Sequence, residues 1–324
     1  MKKIISILVS FTILAIIYWK IDIPKLVELF QNSDRWWMTI SLGMVVPLAM
    51  LTAWRLQQLM PNDSRLGFGE ANRLVLVASA LNMVLPSKMG DIAKAYFLKE
   101  KRHLDGSLSL SLVLFEKTCD LLSILIWCAF GLIIYTQKNW LIEVMLITVV
   151  FGIVFGLMLI ASRYFYTFVF QTTSKILPKK LKSLLEVLRL SWEEMHDYFW
   201  QNKSIPLKVA GISILITFGH ILQIWLLILA LKAWIPFLTH IALCQLSILA
   251  GLVPLTFAGV GTRDAAIITF YKPYLNEPTA AALGLLCTSR YLLLAIGGLP
   301  FLGQYLTTIK KIRGHSKGKP NINQ

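Results

Sequence analysis

Two stretches of the chain, Leu85-Pro-Ser-Lys-Met-Gly-Asp-Ile-Ala-Lys94 and Val253-Pro-Leu-Thr-Phe-Ala-Gly-Val-Gly-Thr-Arg-Asp264, decide its fold. Each follows an apolar run, turns at a proline, passes through glycine and restarts with a basic and an acidic residue. Proline removes a backbone donor and disfavours helix in the residue before it. Apolar segments interrupted in this way at matching positions of two halves point to a transport site between inverted repeats.

The composition is that of a membrane protein. Of the 324 residues, 56% are hydrophobic and 15% are charged, and several apolar runs are long enough to cross a bilayer. We therefore predict an all-α, polytopic helical membrane protein with about six full spans. The first run has no small-residue cleavage site after it, which indicates an uncleaved helix. The predicted spans are Ile4–Trp19, Trp36–Trp54, Ser107–Thr136, Trp140–Ala161, Ile205–Leu231 and Thr279–Leu306.

The two interrupted segments, Ala71–Leu98 and Ile241–Tyr271, allow two structures. Each is either one kinked helix or a re-entrant helical hairpin that enters and leaves on one side. The hairpin is favoured because the halves beside each proline are too short to cross alone. Non-helical backbone at that depth must lie inside protein or against a water-filled cavity. With two hairpins, the halves of the chain form an inverted repeat. The predicted turn residues are Pro86, Gly90, Pro254, Gly259 and Gly261.

The basic residues indicate the orientation. In this topology most of the 32 lysines and arginines, Arg55 among them, fall on the cytoplasmic side. We expect a prokaryotic inner-membrane protein with both termini in the cytoplasm. It has one membrane domain, residues 1–309, and a disordered basic tail, residues 310–324. Ser174–Trp200 is predicted to be an amphipathic helix on the cytoplasmic membrane surface, or alternatively a soluble connector. The net charge of +15 is therefore assigned to loops, and no nucleic-acid partner is expected.

Charged residues inside apolar segments are the candidate functional residues, because each unpaired charge at the bilayer centre costs about 2.5–3.5 kcal/mol. Glu116, Lys117 and Asp120 lie in one predicted span, at spacings that allow contact on a helix. They form either a local ion-pair network that holds helices together or a set of counter-charges beside a translocation path.

Each interrupted segment adds charges where its helix restarts. A half-helix N-terminus with a lysine nearby suits a phosphate, so Lys88, Asp91 and Lys94 are candidate headgroup ligands. The alternative is that Asp91 only caps the helix and the lysines extend to the cytoplasm. In the second segment, Arg263 either binds a phosphate or pairs with Asp264 alone.

Arg290 is alone in the last predicted span and needs a partner, for which Glu116 and Asp120 are the expected candidates. His220 and Gln223 share a helix face and are expected to form interhelical hydrogen bonds rather than to bind a ligand. The four cysteines lie in apolar segments and are predicted to be buried packing residues. The sequence contains no familiar motif of soluble enzymes, and we predict no catalytic residue, metal ligand or cofactor.

Three phrases of the chain resemble the lysylphosphatidylglycerol synthase transmembrane region. They are Leu81-Asn-Met-Val-Leu-Pro86 to Gly90-Asp91, Phe115-Glu-Lys-Thr-Cys-Asp120, and Pro254 to Gly259-Val-Gly-Thr-Arg-Asp264. This flippase-like domain occurs fused to aminoacyl-lipid synthases and as free-standing membrane proteins. The resemblance extends from about Ile4 to Leu306. It implies two re-entrant hairpins and the movement of lipid headgroups across an inner membrane.

The resemblance also carries over residue by residue. The Pro/Gly/acid hairpin of the family falls on Pro86, Gly90 and Asp91. Its Glu-Arg-x-x-Asp falls on Glu116, Lys117 and Asp120, where lysine replaces arginine and loses the bidentate geometry. The second hairpin falls on Gly259, Gly261, Arg263 and Asp264. No soluble aminoacyl-transferase domain accompanies these motifs, so the chain is not expected to make lysyl-lipid itself.

Three functions remain open from the sequence. The favoured one is translocation of a phospholipid or lipid-linked headgroup, with membrane lipids as partners and a separate lipid-modifying synthase or glycosyltransferase as a possible supplier. The second is a membrane transferase that uses a lipid-phosphate donor, with Asp91, Glu116 or Asp120 as the base. No Asp-x-Asp metal pair supports that activity. The third is a secondary transporter of a soluble anion, which inverted repeats would fit equally well.

Overall fold

The computed structural model describes residues 23–84, 89–102, 104–135, 140–201, 204–253 and 260–315. Within these ranges the regular structure is helical and contains no strand, which confirms the all-α class. The predicted span Ile4–Trp19 lies outside the described residues, as do Pro86, Lys88, Pro254 and Gly259.

The apolar runs form helices as their lengths predict. The described ranges contain α1 (Ile23–Gln31), α2 (Arg35–Gly43), α3 (Val45–Leu59), α4 (Phe68–Val84), α5 (Met89–Arg102), α6 (Gly106–Ile134), α7 (Trp140–Ala161), α8 (Arg163–Ile176), α9 (Lys179–Gln201), α10 (Ser204–Ala230), α11 (Phe237–Leu252), α12 (Thr262–Phe270) and α13 (Glu277–His315). A short 3₁₀ turn, Asn62–Ser64, joins α3 to α4.

Five segments of the described chain are long and apolar enough to cross a membrane. They are α2 with α3 (Arg35–Leu59), α6, α7, α10 and Glu277–Gly303 of α13. These coincide with five of the predicted spans and confirm a polytopic membrane protein. The total number of spans and the side on which each loop lies stay predictions.

Local sequence explains where these helices begin and break. Asp34 caps α2, since its Oδ1 accepts the N–H groups of Trp36 at 2.9 Å and Trp37 at 3.3 Å. The break between α2 and α3 lies at Met44, three residues before Pro47, whose ring cannot continue the preceding turn. The predicted amphipathic helix Ser174–Trp200 is interrupted at Leu177 and Pro178 for the same reason.

The last helix extends into the predicted tail. Helix α13 continues through His315, so residues 310–315 are helical. Residues 316–324 lie outside the described residues, and the disordered tail stays a prediction.

Both interrupted segments fold back on themselves. In the first, α4 packs against α5, and a Cβ on Gly90 would lie 2.7 Å from Asn82 Oδ1. In the second, α11 packs against α12, and a Cβ on Gly251 would lie 2.9 Å from the Arg263 Cβ. Gly261 has φ 99°, which only glycine adopts without strain. Each segment is therefore a helix pair rather than one kinked helix, while its re-entrance into a bilayer stays a prediction.

The two halves of the chain pack reciprocally. The first arm of each hairpin contacts the long helix that closes the other half, α4 against α13 and α11 against α6. Glycine allows both close approaches. A Cβ on Gly131 of α6 would lie 2.5 Å from the backbone nitrogen of Ala242, and a Cβ on Gly298 of α13 would overlap the Leu76 carbonyl. This is the packing expected of two related repeats.

Two hydrophobic cores result, one beside each hairpin. The first includes residues of α3, α4, α5, α9 and the start of α6. The second includes residues of α10, α11, α12, α13 and the end of α6. All four cysteines are buried and unbonded, which confirms their predicted packing role. Because α6 and α10 contribute to both cores, they connect the two charged regions described next.

Candidate functional site

A network of ion pairs joins α3, α5 and α6. Arg55 donates from Nη2 to Glu116 Oε1 at 2.7 Å and from Nη1 to Asp120 Oδ1. Lys94 Nζ donates to the other Glu116 oxygen at 2.7 Å. Arg55, Lys94 and Glu116 are each at most 2% exposed. Both Glu116 oxygens are thus bound inside the protein, the arrangement that a buried carboxylate requires.

The outer part of the network reaches the surface. Lys117 Nζ lies 3.5 Å from Asp91 Oδ1 and 3.2 Å from Asp120 Oδ2. The Lys117 side chain is 42% exposed and that of Asp120 is 31% exposed. The first ionic cluster consists of Arg55, Asp91, Lys94, Glu116, Lys117 and Asp120. Its three cations and three carboxylates make it formally neutral.

One position in this cluster differs from the sequence prediction, and a second differs from a stated alternative. Arg55 was expected in a cytoplasmic loop, but α3 continues past Trp54 to Leu59 and carries the guanidinium to the interior. The missed signal was that Arg55 directly follows a predicted span. Lys94 is buried, and its ammonium is bound to Glu116. Glu116, Lys117 and Asp120 therefore belong to one ion-pair network, which is compatible with both interpretations of these residues.

The second ionic cluster consists of Arg263, Asp264 and Arg290. Arg263 Nη2 donates to Asp264 Oδ1 at 2.8 Å and to Thr288 Oγ1 at 2.6 Å. Asp264 Oδ2 accepts the Gly261 N–H at 3.0 Å. Arg263 is 5% exposed and Asp264 is 4% exposed. Arg263 thus pairs with Asp264 and also with Thr288, while phosphate binding by Arg263 stays a prediction.

Arg290 has no carboxylate partner among the described residues. Its Nη1 donates to Gln223 Oε1 at 2.7 Å, while its Nε has no hydrogen-bond partner in the described part of the chain. The side chain is nevertheless buried, with Arg290 5% exposed. The expected pairing with Glu116 or Asp120 is wrong, because Arg55 occupies both carboxylates.

Tyr291 lies between the two arginines of the second cluster. The guanidinium carbons of Arg263 and Arg290 lie 5.8 Å and 5.7 Å from its ring centroid. At this distance the ring face attracts both cations. Glycine again permits the close packing, since a Cβ on Gly284 would lie 2.9 Å from Asp264 Oδ1. With two arginines and one carboxylate, the cluster is formally positive.

A polar stripe on α10 connects the two clusters. Its residues, all on one face of the helix, are Ser213, Thr217, His220 and Gln223. Ser213 Oγ accepts from Arg55 at 2.7 Å, and Gln223 Oε1 accepts from Arg290. The two residues are about 15 Å apart along the helix, at 1.5 Å per residue. The stripe thus runs from the first cluster to the second.

The stripe also holds α10 to α2. Gln223 Nε2 donates to the Ser41 carbonyl and Ser41 Oγ donates to the Gln223 carbonyl, each at 2.8 Å. The prediction that Gln223 forms interhelical hydrogen bonds is confirmed. His220 Nδ1 lies 3.4 Å from Gln223 Oε1. Ser213 was missed by sequence reasoning, although a serine on the His220 face of an apolar helix was a usable signal.

The predicted site residues therefore divide into two groups. Asp91, Lys94, Glu116, Lys117 and Asp120 meet in the first cluster, and Arg263, Asp264 and Arg290 meet in the second. Lys88 lies outside the described residues. Within the described residues no group of His, Cys, Asp and Glu side chains is arranged to hold a metal ion.

The chain is similar to known membrane proteins over most of its length. The sequence model of the lysylphosphatidylglycerol synthase transmembrane region matches residues 3–298. A UPF0104 membrane protein of Methanocaldococcus jannaschii, MJ1595, is 24% identical over 298 residues, which cover 87% of this chain and 88% of the relative. The match of the family model to nearly the whole chain shows that this protein belongs to the lysylphosphatidylglycerol synthase transmembrane region family.

Proposed function

We propose that the protein moves the anionic headgroup of a phospholipid or lipid-linked compound across the membrane, while the hydrocarbon chains stay in the bilayer. The observation that carries the proposal is Arg290, a buried guanidinium without a carboxylate among the described residues. A buried charge without a counter-charge is strongly unfavourable. A bound anion would supply the missing charge.

The chemistry of Arg290 suits a phosphate. One Nη group is held by Gln223, so the guanidinium is oriented, and the Nε donor remains free of described partners. A guanidinium presents paired donors that match phosphate oxygens. Arg263 adds a second positive charge across Tyr291. The site therefore favours an anion that presents two oxygens to the guanidinium, such as a phosphate, over a neutral headgroup.

The first ionic cluster provides the other end of the path. Lys117 is half-exposed and lies beside Asp91 and Asp120, so an entering phosphate can replace a carboxylate as its partner. The hydroxyl, imidazole and amide groups of the α10 stripe then lead toward Arg290. Ser213 is fully buried and Gln223 is 1% exposed, so passage requires α10 to separate from its neighbours. The exchange of ion pairs keeps the phosphate neutralised during the movement.

Reconstituted proteoliposomes test this function. A fluorescent phosphatidylglycerol is placed in both leaflets, and a membrane-impermeant quencher reports movement between them. We expect the wild-type protein to accelerate this movement, Arg290→Gln to slow it at least tenfold, and Arg290→Lys to retain part of it. The matched control is Arg163→Gln, which changes an exposed arginine on α8 and should leave the rate unchanged.

Parallel assays separate this function from its alternatives. Movement no faster than in protein-free liposomes, for anionic, zwitterionic and aminoacylated lipids alike, would refute the proposal. Uptake of a soluble anion without lipid movement would indicate a secondary transporter instead. Consumption of a polyprenyl-phosphate donor with formation of a product would indicate a transferase.

A further inference from the structure

A cavity of about 360 Å³ lies among α6, α7, α9 and α10, outside both ionic clusters. Its floor is apolar and closed, formed by Phe115, Cys119, Met195 and Phe199, each at most 4% exposed. Its volume falls within the range of small-molecule sites, about 300–1,000 Å³. The lining is mostly apolar, with Ser123 and His196 among its few polar side chains, so an apolar ligand suits it better than water.

The rim of the cavity faces the hydrocarbon of the bilayer. Leu157 on α7 is 50% exposed and Leu207 on α10 is 77% exposed, and both line the opening. The rest of α7 is also exposed, and Val149 is its only buried residue. Since α6, α7 and α10 are all segments of spanning length, the surface around the rim contacts lipid chains rather than water.

One end of the opening has the character of a membrane interface. Trp200, 44% exposed, lines the rim at the end of α9, and aromatic rings of this kind concentrate at the level of lipid headgroups. Lys208 follows Leu207 on α10 and is exposed, which places a positive charge beside the same end. From its apolar floor to its basic end, the cavity matches the order of groups in a phospholipid, in which an apolar chain leads to a phosphate.

We infer that this cavity binds one hydrocarbon chain of a membrane phospholipid, with its phosphate at the Trp200 and Lys208 end. The inference goes beyond the proposed function and holds whether or not the lipid crosses. The cavity and the first ionic cluster occupy adjoining faces of α6, since Cys119 of the floor lies between Glu116 and Asp120 in sequence. A lipid anchored here is kept next to the charged path.

Photocrosslinking of the reconstituted full chain tests the inference. The probe is phosphatidylglycerol with a diazirine on one acyl chain, and labelled residues are mapped by mass spectrometry. We expect labels on Phe115, Cys119, Met195 and Phe199, which bulk lipid cannot reach from outside. Ala210 lines the cavity, so Ala210→Phe should fill it and reduce these labels at least fivefold. The matched control is Ala161→Phe, at an exposed alanine outside the cavity lining, with labels unchanged.

Either of two results would overturn the inference. One is labelling confined to lipid-facing residues of α7, such as Phe151, in the wild-type protein. The other is floor labelling that persists in Ala210→Phe. If that variant does not fold, Ala210→Leu fills part of the cavity instead. The labelled residues of the wild-type protein are sufficient to show whether labelling is confined to α7. Floor labelling without lipid movement would leave this inference standing and refute only the proposed translocation.

Discussion

The first and second ionic clusters both bury arginine beside a carboxylate, but they balance their charges differently. In the first, three cations face three carboxylates, and Arg55 and Lys94 share the buried Glu116. In the second, Arg263 has Asp264, while Arg290 has only the neutral amide of Gln223 among the described residues. Both clusters lie beside a hairpin with a glycine at the start of its second helix: Gly90 is the second residue of α5, and Gly261 directly precedes α12.

This difference assigns different roles to the two halves. A neutral cluster, in which every charge has an opposite partner, holds α3, α5 and α6 together, and its buried members Arg55, Lys94 and Glu116 are costly to remove alone. Under the proposed function, the cluster with an extra positive charge instead binds the anion. Stability measurements on single variants therefore separate the two clusters before any ligand is known.

The largest effect on stability is expected when one buried arginine is removed from each cluster. Arg55→Gln should lower the free energy of unfolding by about 3–5 kcal/mol, because Glu116 and Asp120 lose their shared partner. Arg290→Gln should raise it slightly, by up to about 1 kcal/mol, since the variant removes a buried charge that has no counter-charge and leaves no carboxylate behind. Denaturation of both variants in one detergent gives the values, with Arg163→Gln as the exposed control. If both variants lost the same free energy of unfolding, the two clusters would not differ in charge balance as described.

The next effect concerns the bond between Lys94 and Glu116. Lys94→Met and Glu116→Gln should each destabilise strongly, and the double variant should recover about 1–3 kcal/mol relative to the sum of the single losses. A double-mutant cycle measures this coupling. The control cycle joins Arg189 and Glu193, an i, i+4 pair on α9, where about 0.5 kcal/mol is expected. Coupling no larger than in the control would mean that the buried pair does not hold α5 to α6.

The reciprocal helix crossings predict a matched pair of losses. Gly131→Ala and Gly298→Ala should each cost about 1–3 kcal/mol, because the added methyl overlaps the backbone of the facing helix. Gly211→Ala on α10 is the control, since nothing lies within 4 Å of a Cβ there and alanine favours helix. Thermal unfolding compares the three variants. A loss at only one crossing would show that the halves are not packed equivalently.

The smallest effect on stability is expected from the ring of Tyr291 in the second cluster. Tyr291→Leu should lower the free energy of unfolding by about 0.5–1 kcal/mol, because the ring face that attracts Arg263 and Arg290 is lost. Tyr291→Phe keeps the ring and should match the wild type in the same unfolding assay. A loss of the same size in both variants would assign the effect to the hydroxyl group instead.

Much of the fold follows from local sequence. Five predicted spans coincide with helices, and two of the predicted glycines, Gly90 and Gly261, lie at the start of the second helix of each pair. The candidate residues were also recognisable, because charge within an apolar run stands out against its surroundings. Helix ends were less well predicted. The predicted span stops at Trp54, whereas α3 continues to Leu59, and the prediction therefore assigned Arg55 to a loop.

The sequence by itself determined five spanning helices, the two breaks and most of the charges that must be buried, although not Arg55. Only the tertiary structure decided which charges meet, with Glu116 bound to Arg55 at a separation of 61 residues and Arg290 bound to Gln223 at a separation of 67. Hydropathy and helix period depend on neighbours along the chain, whereas pairing depends on how distant helices rotate and slide against one another. Nothing local encodes that rotation, and so the uncompensated charge of Arg290 became visible only in the folded protein.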